Sequence, residues 1–84
     1  MFEWDEKKSQ QNKAVRGFDF SIVEQFDFDT ALTILDNRKD YGEIRFRSTG
    51  RIEGKLFSVT WTARGKNIRI ISVRRAHKKE CRGS

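Results

Sequence analysis

The stretch of sequence that decides the fold is residues 56–73, which read LFSVTWTARGKNIRIISV. β-Branched and aromatic residues recur along it, and these residue types favour strands. In its first part, residues 56–62, alternation places Phe57, Val59 and Trp61 on one side, as in a half-buried strand. The Arg-Gly-Lys-Asn sequence that follows supplies the chemistry of a tight turn. The stretch is therefore predicted to form an antiparallel hairpin.

The second strand of this hairpin, residues 67–73, is the most strand-prone part of the chain. Alternation predicts Ile68 and Ile70 on one face, with Ile71 and Val73 on the other face beside Arg69. Upstream, two more strands are predicted over residues 30–35 and 43–49. Turn residues lie between these two at 37–42, and a loop is predicted from Gly50 to Gly54. The close spacing of the four strands predicts an antiparallel meander.

Residues 2–4, Phe-Glu-Trp, read as a short strand, too brief to be stable without neighbours. Asp5 can then cap a helix that runs through Ala14, and Gly17 ends or redirects the chain. This helix has almost no apolar stripe. Trp4 and Ala14 are therefore expected to provide much of its packing.

Ser21 and Glu24 fit a capping box, which predicts a second short helix over residues 21–25. At the other end of the chain, residues 74–81 are predicted to form a very basic helix or tail with Ser72 as its cap. The fold expected from these elements is α+β. Two N-terminal helices pack on one face of a mainly antiparallel four-stranded sheet, a short basic helix follows, and an arginine-lined face stays open.

Length and composition exclude several classes of protein. The 84 residues allow a single domain over residues 1–84. One cysteine and one histidine exclude an intramolecular disulfide, a Cys-rich zinc site and an acid–base pair of histidines. We expect no metal and no cofactor. No apolar run approaches the roughly 20 residues that cross a bilayer, and no signal peptide pattern opens the chain, so a cytoplasmic location without membrane contact is expected.

Charge is distributed unevenly along the chain. Residues 1–42 carry six Lys/Arg against nine Asp/Glu, a balance of −3, whereas residues 43–84 carry twelve against three, a balance of +9. Such asymmetry favours a polyanionic partner for the second half, nucleic acid being the commonest. The alternatives are a solvated basic surface, or a basic face that an acidic protein partner covers.

Cleavage of RNA without a metal needs a base for the 2′-hydroxyl, an acid for the leaving 5′-oxygen, and cations for the charge on phosphorus. Arginine suits the third task because its planar fork binds phosphate oxygens bidentately and keeps its charge. Arg64, Arg69 and Arg74 lie along the predicted hairpin, and their side chains are candidates for a phosphate clamp. Ordinary surface arginines on a sheet are the alternative.

Two further side chains are candidates for acid–base work. His77 is the only side chain that titrates naturally near neutrality, although a lone histidine in a basic segment is more often simply solvated. Glu80 is either a base in a cationic environment or one half of a surface ion pair. The aspartates at positions 27, 29, 36 and 40 have no metal-site spacing, and turn or cap roles suit them better.

Several motifs, in this order along the chain, resemble the BrnT family of bacterial toxins. They are Phe2-Glu3-Trp4-Asp5-Glu6-Lys7-Lys8, Asn12, Gly17, Phe18/Phe20, Ser21, Gly42-Glu43-x-Arg45-Phe46, Arg64-Gly65 and Arg69-Ile70-Ile71-Ser72-x-Arg74-Arg75-Ala76-x-x-x-Glu80. The resemblance implies a RelE-like fold and a metal-independent ribonuclease that arrests translation. It also implies a BrnA-type antitoxin as partner, with operator DNA bound only through that antitoxin.

The resemblance carries the family's recurrent charged positions over to Arg64, Arg69, Arg74 and Glu80. His77 is kept with them as a catalytic candidate. RNA-binding candidates are the other cations of the second half: Arg45, Arg47, Arg75, Lys78 and Lys79. One departure concerns the end of the first helix, where members often have Lys-His before a glycine. This chain has Val15-Arg16-Gly17, and arginine does not shuttle protons at neutral pH.

The sequence therefore favours a toxin endoribonuclease that cuts RNA and is neutralised by an antitoxin. Two alternatives from other classes stay open. One is a non-catalytic nucleic-acid-binding module that uses the same arginines, and the other is an interaction protein whose basic face binds an acidic partner.

Overall fold

The computed structural model describes residues 1–36 and 42–76. Strand β1 spans Phe2–Trp4, helix α1 Glu6–Arg16 and a 3-10 helix Phe20–Gln25. Strands β2, β3, β4 and β5 follow at Leu32–Leu35, Phe46–Ile52, Lys55–Arg64 and Asn67–Arg75. Neither helix in this part of the chain has the length and apolar character needed to cross a membrane.

The strands form one mixed five-stranded sheet in the order β1-β5-β4-β3-β2. The pairs from β2 to β5 are antiparallel, as the meander predicts, whereas β1 pairs parallel with β5. The predicted four-stranded sheet was therefore wrong by one strand. The short segment 2–4 joins the sheet because β5 supplies the neighbour that it needs.

Helix α1 has the caps that the sequence predicts. The Asp5 carboxylate accepts hydrogen bonds from the backbone N–H groups of Lys7 and Lys8, at 2.9 and 3.4 Å. At the other end Gly17 adopts the left-handed conformation, with φ of 89°, and its N–H donates to the Lys13 carbonyl oxygen. A residue with a side chain is strained in this conformation, so glycine is the natural end of the helix.

The attachment of α1 to the rest of the molecule is polar. Ser9 is buried, and its hydroxyl oxygen accepts a hydrogen bond of 2.9 Å from the backbone N–H of Phe20. The Asn12 amide donates to the Phe18 carbonyl oxygen, also at 2.9 Å. Trp4 packs against the core, but Ala14 is exposed, so the expectation that Ala14 packs this helix was wrong.

The second predicted helix is a 3-10 helix that begins one residue earlier than the capping box predicts. Its cap is Asp19, whose carboxylate accepts hydrogen bonds from both the backbone N–H and the hydroxyl of Ser21. The hydroxyl bond is the main reason that the pKa of the Asp19 carboxyl lies below its usual value. Ser21 therefore lies inside the first turn, and the Ser21–Glu24 capping box was wrong.

The predicted C-terminal helix was wrong at its start. Strand β5 continues through Arg75, and Ser72 pairs with Thr60 inside the ladder instead of capping a helix. Hydrogen bonding to β4 extends two residues past the predicted strand end at Val73. The remainder of that helix, residues 77–81, lies outside the described residues.

The core lies between the 3-10 helix and one face of the sheet, which we call the helix-bearing face. Its buried residues are Phe20, Val23, Phe26, Ile52, Phe57, Val59, Ile70 and Val73. Aromatic contacts extend it: Phe46 stacks on Trp61 with a centroid distance of 4.7 Å, and Phe18 meets Phe57 edge-on at 5.2 Å. In this small protein the helix-bearing face provides most of the apolar burial.

Replacing Ser9 with alanine tests the polar attachment of α1. The Phe20 N–H would lose its buried acceptor, and the free energy of unfolding is expected to fall by about 1–3 kcal/mol. Chemical denaturation of the two proteins measures the difference. Gln11→Ala on the exposed side of the same helix is the control and should change stability by no more than about 0.5 kcal/mol. An equal loss in both variants would contradict the role given to Ser9.

Candidate nucleic-acid interface

Five arginines lie on the face of the sheet opposite the core, which we call the arginine face, and four of them follow β4. Residues 58, 60, 62 and 64 alternate with the core residues Phe57 and Val59 along β4, so they lie on the opposite side. Directly paired residues of antiparallel strands lie on the same face. The register pairs Ser58 with Arg74, Thr60 with Arg47, and Thr62 with Arg69, while Arg64 belongs to β4 itself.

A β-bulge in β5 makes this arrangement possible. Thr60 pairs with Ser72 and Trp61 pairs with Ile70, which leaves Ile71 as an extra residue. Arg69 and Arg74 are an odd number of positions apart, so a regular strand would place them on opposite faces. The extra residue returns both to the arginine face.

The same bulge places Ile70 and Val73 together in the core, where 2% and 0% of their surface is exposed. The predicted separation of Ile70 from Val73 was therefore wrong. Strict alternation cannot foresee a bulge, since a bulge depends on the register of the partner strand.

The arginines are spread along a row and do not converge on one position. Measured along β4, Arg64 and Arg69 lie two residues apart, or about 7 Å, and Arg69 and Arg74 lie four residues apart, or about 14 Å. Arg47, on β3, falls at the level between Arg69 and Arg74. The row is about 20 Å long at the level of the backbone, which is longer than a single phosphate group, so it offers cations to several anionic groups at once.

The residues between the arginines are small and polar. Ser58, Thr62 and Thr49 are buried, and the Thr62 hydroxyl donates to the Ile44 carbonyl oxygen at 2.6 Å. Across residues 1–36 and 42–76, the side chains of Arg47, Arg64 and Arg69 make no hydrogen bond or ion pair with the protein. Their donors are thus available to a ligand.

Beyond Arg74 the arginine face continues into a hollow of about 600 Å³. Thr49, Arg51 and Leu56 line it, next to Ser58, the ladder partner of Arg74. Arg51 was absent from the candidates predicted from the sequence. It lies four residues after Arg47 in the same strand, and alternation places residues an even number of positions apart on the same face.

Other candidates from the sequence lie elsewhere. Arg45 precedes β3 and forms an ion pair with Glu43 at 2.9 Å. Arg75 lies on the helix-bearing side, where its guanidinium carbon stands 5.4 Å from the centre of the Phe57 ring and its Nε donates to the Leu56 carbonyl oxygen. His77, Lys78, Lys79 and Glu80 lie outside the described residues.

Binding to a polyanion tests the arginine face as a unit. Arg47→Ala, Arg64→Ala and Arg69→Ala are each expected to lower the salt concentration that elutes the protein from immobilised heparin, because each removes one cation from the face. Arg75→Ala removes the same charge from the other side of the sheet and should shift elution less. Equal shifts for all four variants would mean that net charge alone governs binding.

Comparison with known proteins supplies one match. The model of a family described as "Ribonuclease toxin, BrnT, of type II toxin-antitoxin system" matches residues 4–80 of this chain. No curated protein is similar enough to this chain to count as a match.

Proposed function

The chain belongs to the BrnT family of ribonuclease toxins of type II toxin–antitoxin systems, and from this premise we propose that its arginine face holds RNA for metal-independent cleavage. The observation that carries the proposal is the register that puts Arg47, Arg64, Arg69 and Arg74 in one row. Single-stranded RNA laid along this row has its successive phosphates against the guanidinium groups of the row.

The proposed reaction is attack by a 2′-hydroxyl on the adjacent phosphorus with departure of the 5′-oxygen. Negative charge builds up on the phosphorane oxygens, and fixed cations at that position lower the barrier. Arg64 and Arg69, about 7 Å apart along the ladder, are the pair best spaced to hold one phosphate between them. Arg74 then serves a neighbouring phosphate. His77 and Glu80 remain proposed acid–base groups on the basis of sequence.

A toxin of this class has an antitoxin as its partner, and we take a BrnA-type antitoxin to be the specific one. Acidic residues of that antitoxin would neutralise the arginine face and displace RNA from it. Operator DNA is then bound through the antitoxin, with the toxin contributing no DNA contact of its own.

Purified protein incubated with single-stranded RNA, with and without EDTA, tests the enzymatic proposal. Cleavage should persist with EDTA and should fall by about 10²–10³-fold in Arg69→Ala, the loss typical of a removed transition-state donor. Arg75→Ala is the matched control and should retain cleavage. Circular dichroism of each variant checks that it is folded.

Other outcomes of this experiment favour the other two classes of function. RNA binding without cleavage by the wild-type protein would support a non-catalytic binding module. A wild-type protein that neither binds nor cleaves RNA but binds an antitoxin tightly would support a pure interaction protein. Cleavage abolished by EDTA would contradict the metal-independent mechanism.

The salt dependence of RNA affinity provides an independent measurement. Each phosphate neutralised on a single strand contributes about −0.7 to the slope of log affinity against log salt concentration. Loss of Arg47 should therefore make the slope shallower by about 0.7, measured by fluorescence anisotropy with non-cleavable 2′-O-methyl RNA. An unchanged slope would exclude Arg47 from the contact surface.

A further inference from the structure

Glu3 stands on the arginine face. Strand β1 pairs parallel with β5, and the register sets Phe2 beside Ile68, Glu3 beside Arg69 and Trp4 beside Ile70. Phe2 and Trp4 both pack against the core. Because successive residues of a strand point to opposite faces, Glu3 lies on the other side, next to Arg69.

The charge of Glu3 is exceptional in this position. Among the strand residues that the structure describes on this face, it is the one carboxylate, and it faces Arg69 on β5. Across Arg69 on β4 lies Thr62, and Arg64 lies two residues farther along β4. Adjacent strands lie about 4.8 Å apart, yet no ion pair within 4.0 Å joins Glu3 to an arginine in the described part of the chain. Both side chains are therefore open to a ligand between them.

A carboxylate beside a phosphate-binding arginine is one arrangement that supports 2′-hydroxyl attack, because a carboxylate can act as the general base. The hydroxyl lies next to its own phosphate, so the base must stand beside the cation that holds the phosphate. Glu3 and Arg69 meet this condition through neighbouring strands of one ladder, where backbone hydrogen bonds fix their relative position.

We propose that Glu3 is the catalytic base of this ribonuclease, acting on the 2′-hydroxyl of the nucleotide whose phosphate Arg69 holds. This inference rests on the proposed function. The Glu3 carboxylate takes the 2′-hydroxyl proton, the freed electron pair forms the bond from O2′ to phosphorus, and the bond from phosphorus to O5′ breaks. The electron pair of that bond leaves with O5′, which is protonated by water, and a 2′,3′-cyclic phosphate remains.

The decisive variant is Glu3→Gln, which keeps the size of the side chain and removes the basic oxygen. Single-turnover cleavage of a labelled single-stranded RNA should fall by about 10²–10⁴-fold, the usual contribution of a general base. Affinity for the same sequence as 2′-O-methyl RNA should stay constant or rise, because a negative charge has left the arginine face. Glu24→Gln, an exposed carboxylate on the 3-10 helix, is the matched control and should cleave at the wild-type rate.

The pH profile separates a base from a residue that only positions Arg69. A general base gives the cleavage rate a limb that rises with pH and then levels off, and we expect this limb in the wild-type protein. Glu3→Gln should lose that limb, and Glu3→Asp, which keeps the carboxylate on a shorter stem, should recover part of the rate with the limb intact. Thermal melting of each variant verifies that β1 remains paired.

Three results would overturn the inference. The first is a Glu3→Gln rate within threefold of wild type. The second is loss of 2′-O-methyl RNA affinity in proportion to the rate with the pH limb unchanged, which would make Glu3 a structural partner of Arg69. The third is a wild-type protein that cuts no RNA, and this result alone would also remove the proposed function.

Discussion

The pairing of β4 with β5, with its one-residue bulge, is the constraint on which the rest of the structure depends. A regular β5 that kept Val73 in the core would turn Arg69 inward and Ile70 outward. Burial of an isoleucine side chain contributes about 1.5–3 kcal/mol, and an unpaired buried guanidinium is strongly unfavourable. The extra residue Ile71 removes this conflict. The same bulge thus completes the core and aligns the arginines.

The two faces of the sheet have different roles: the helix-bearing face stabilises the fold, and the arginine face is available for binding. The helix-bearing face concentrates aliphatic and aromatic burial, and the arginine face has small hydroxyl residues as its floor. Throughout the described residues, every buried side-chain nitrogen or oxygen has a hydrogen-bond partner. Thr62 on the arginine face shows how this is achieved, since its hydroxyl donates to the Ile44 carbonyl oxygen. A satisfied floor lets the arginines keep their donors for a ligand.

Local signals in the sequence were reliable where the interaction itself is local. Asp5 caps the start of α1 and Gly17 caps its end, as predicted, because a cap pairs with backbone N–H and C=O groups only a few residues away. The strand assignments from residue 30 onward held with shifted ends. The second cap failed because Asp19 and Ser21 offer competing side chains, and the attachment of α1 through Ser9 could not be foreseen from a helix without an apolar stripe.

The sequence by itself determined the strand segments, the first helix, the uneven charge and the resemblance to BrnT toxins, which the family match confirms. Tertiary structure alone decided which arginines share a face. It places Arg75 on the opposite face from Arg74 and brings Glu3 beside Arg69. The physical reason is that alternation is a property of one strand. Register, bulges and the parallel pairing of β1 are set by a partner strand that is distant in the chain.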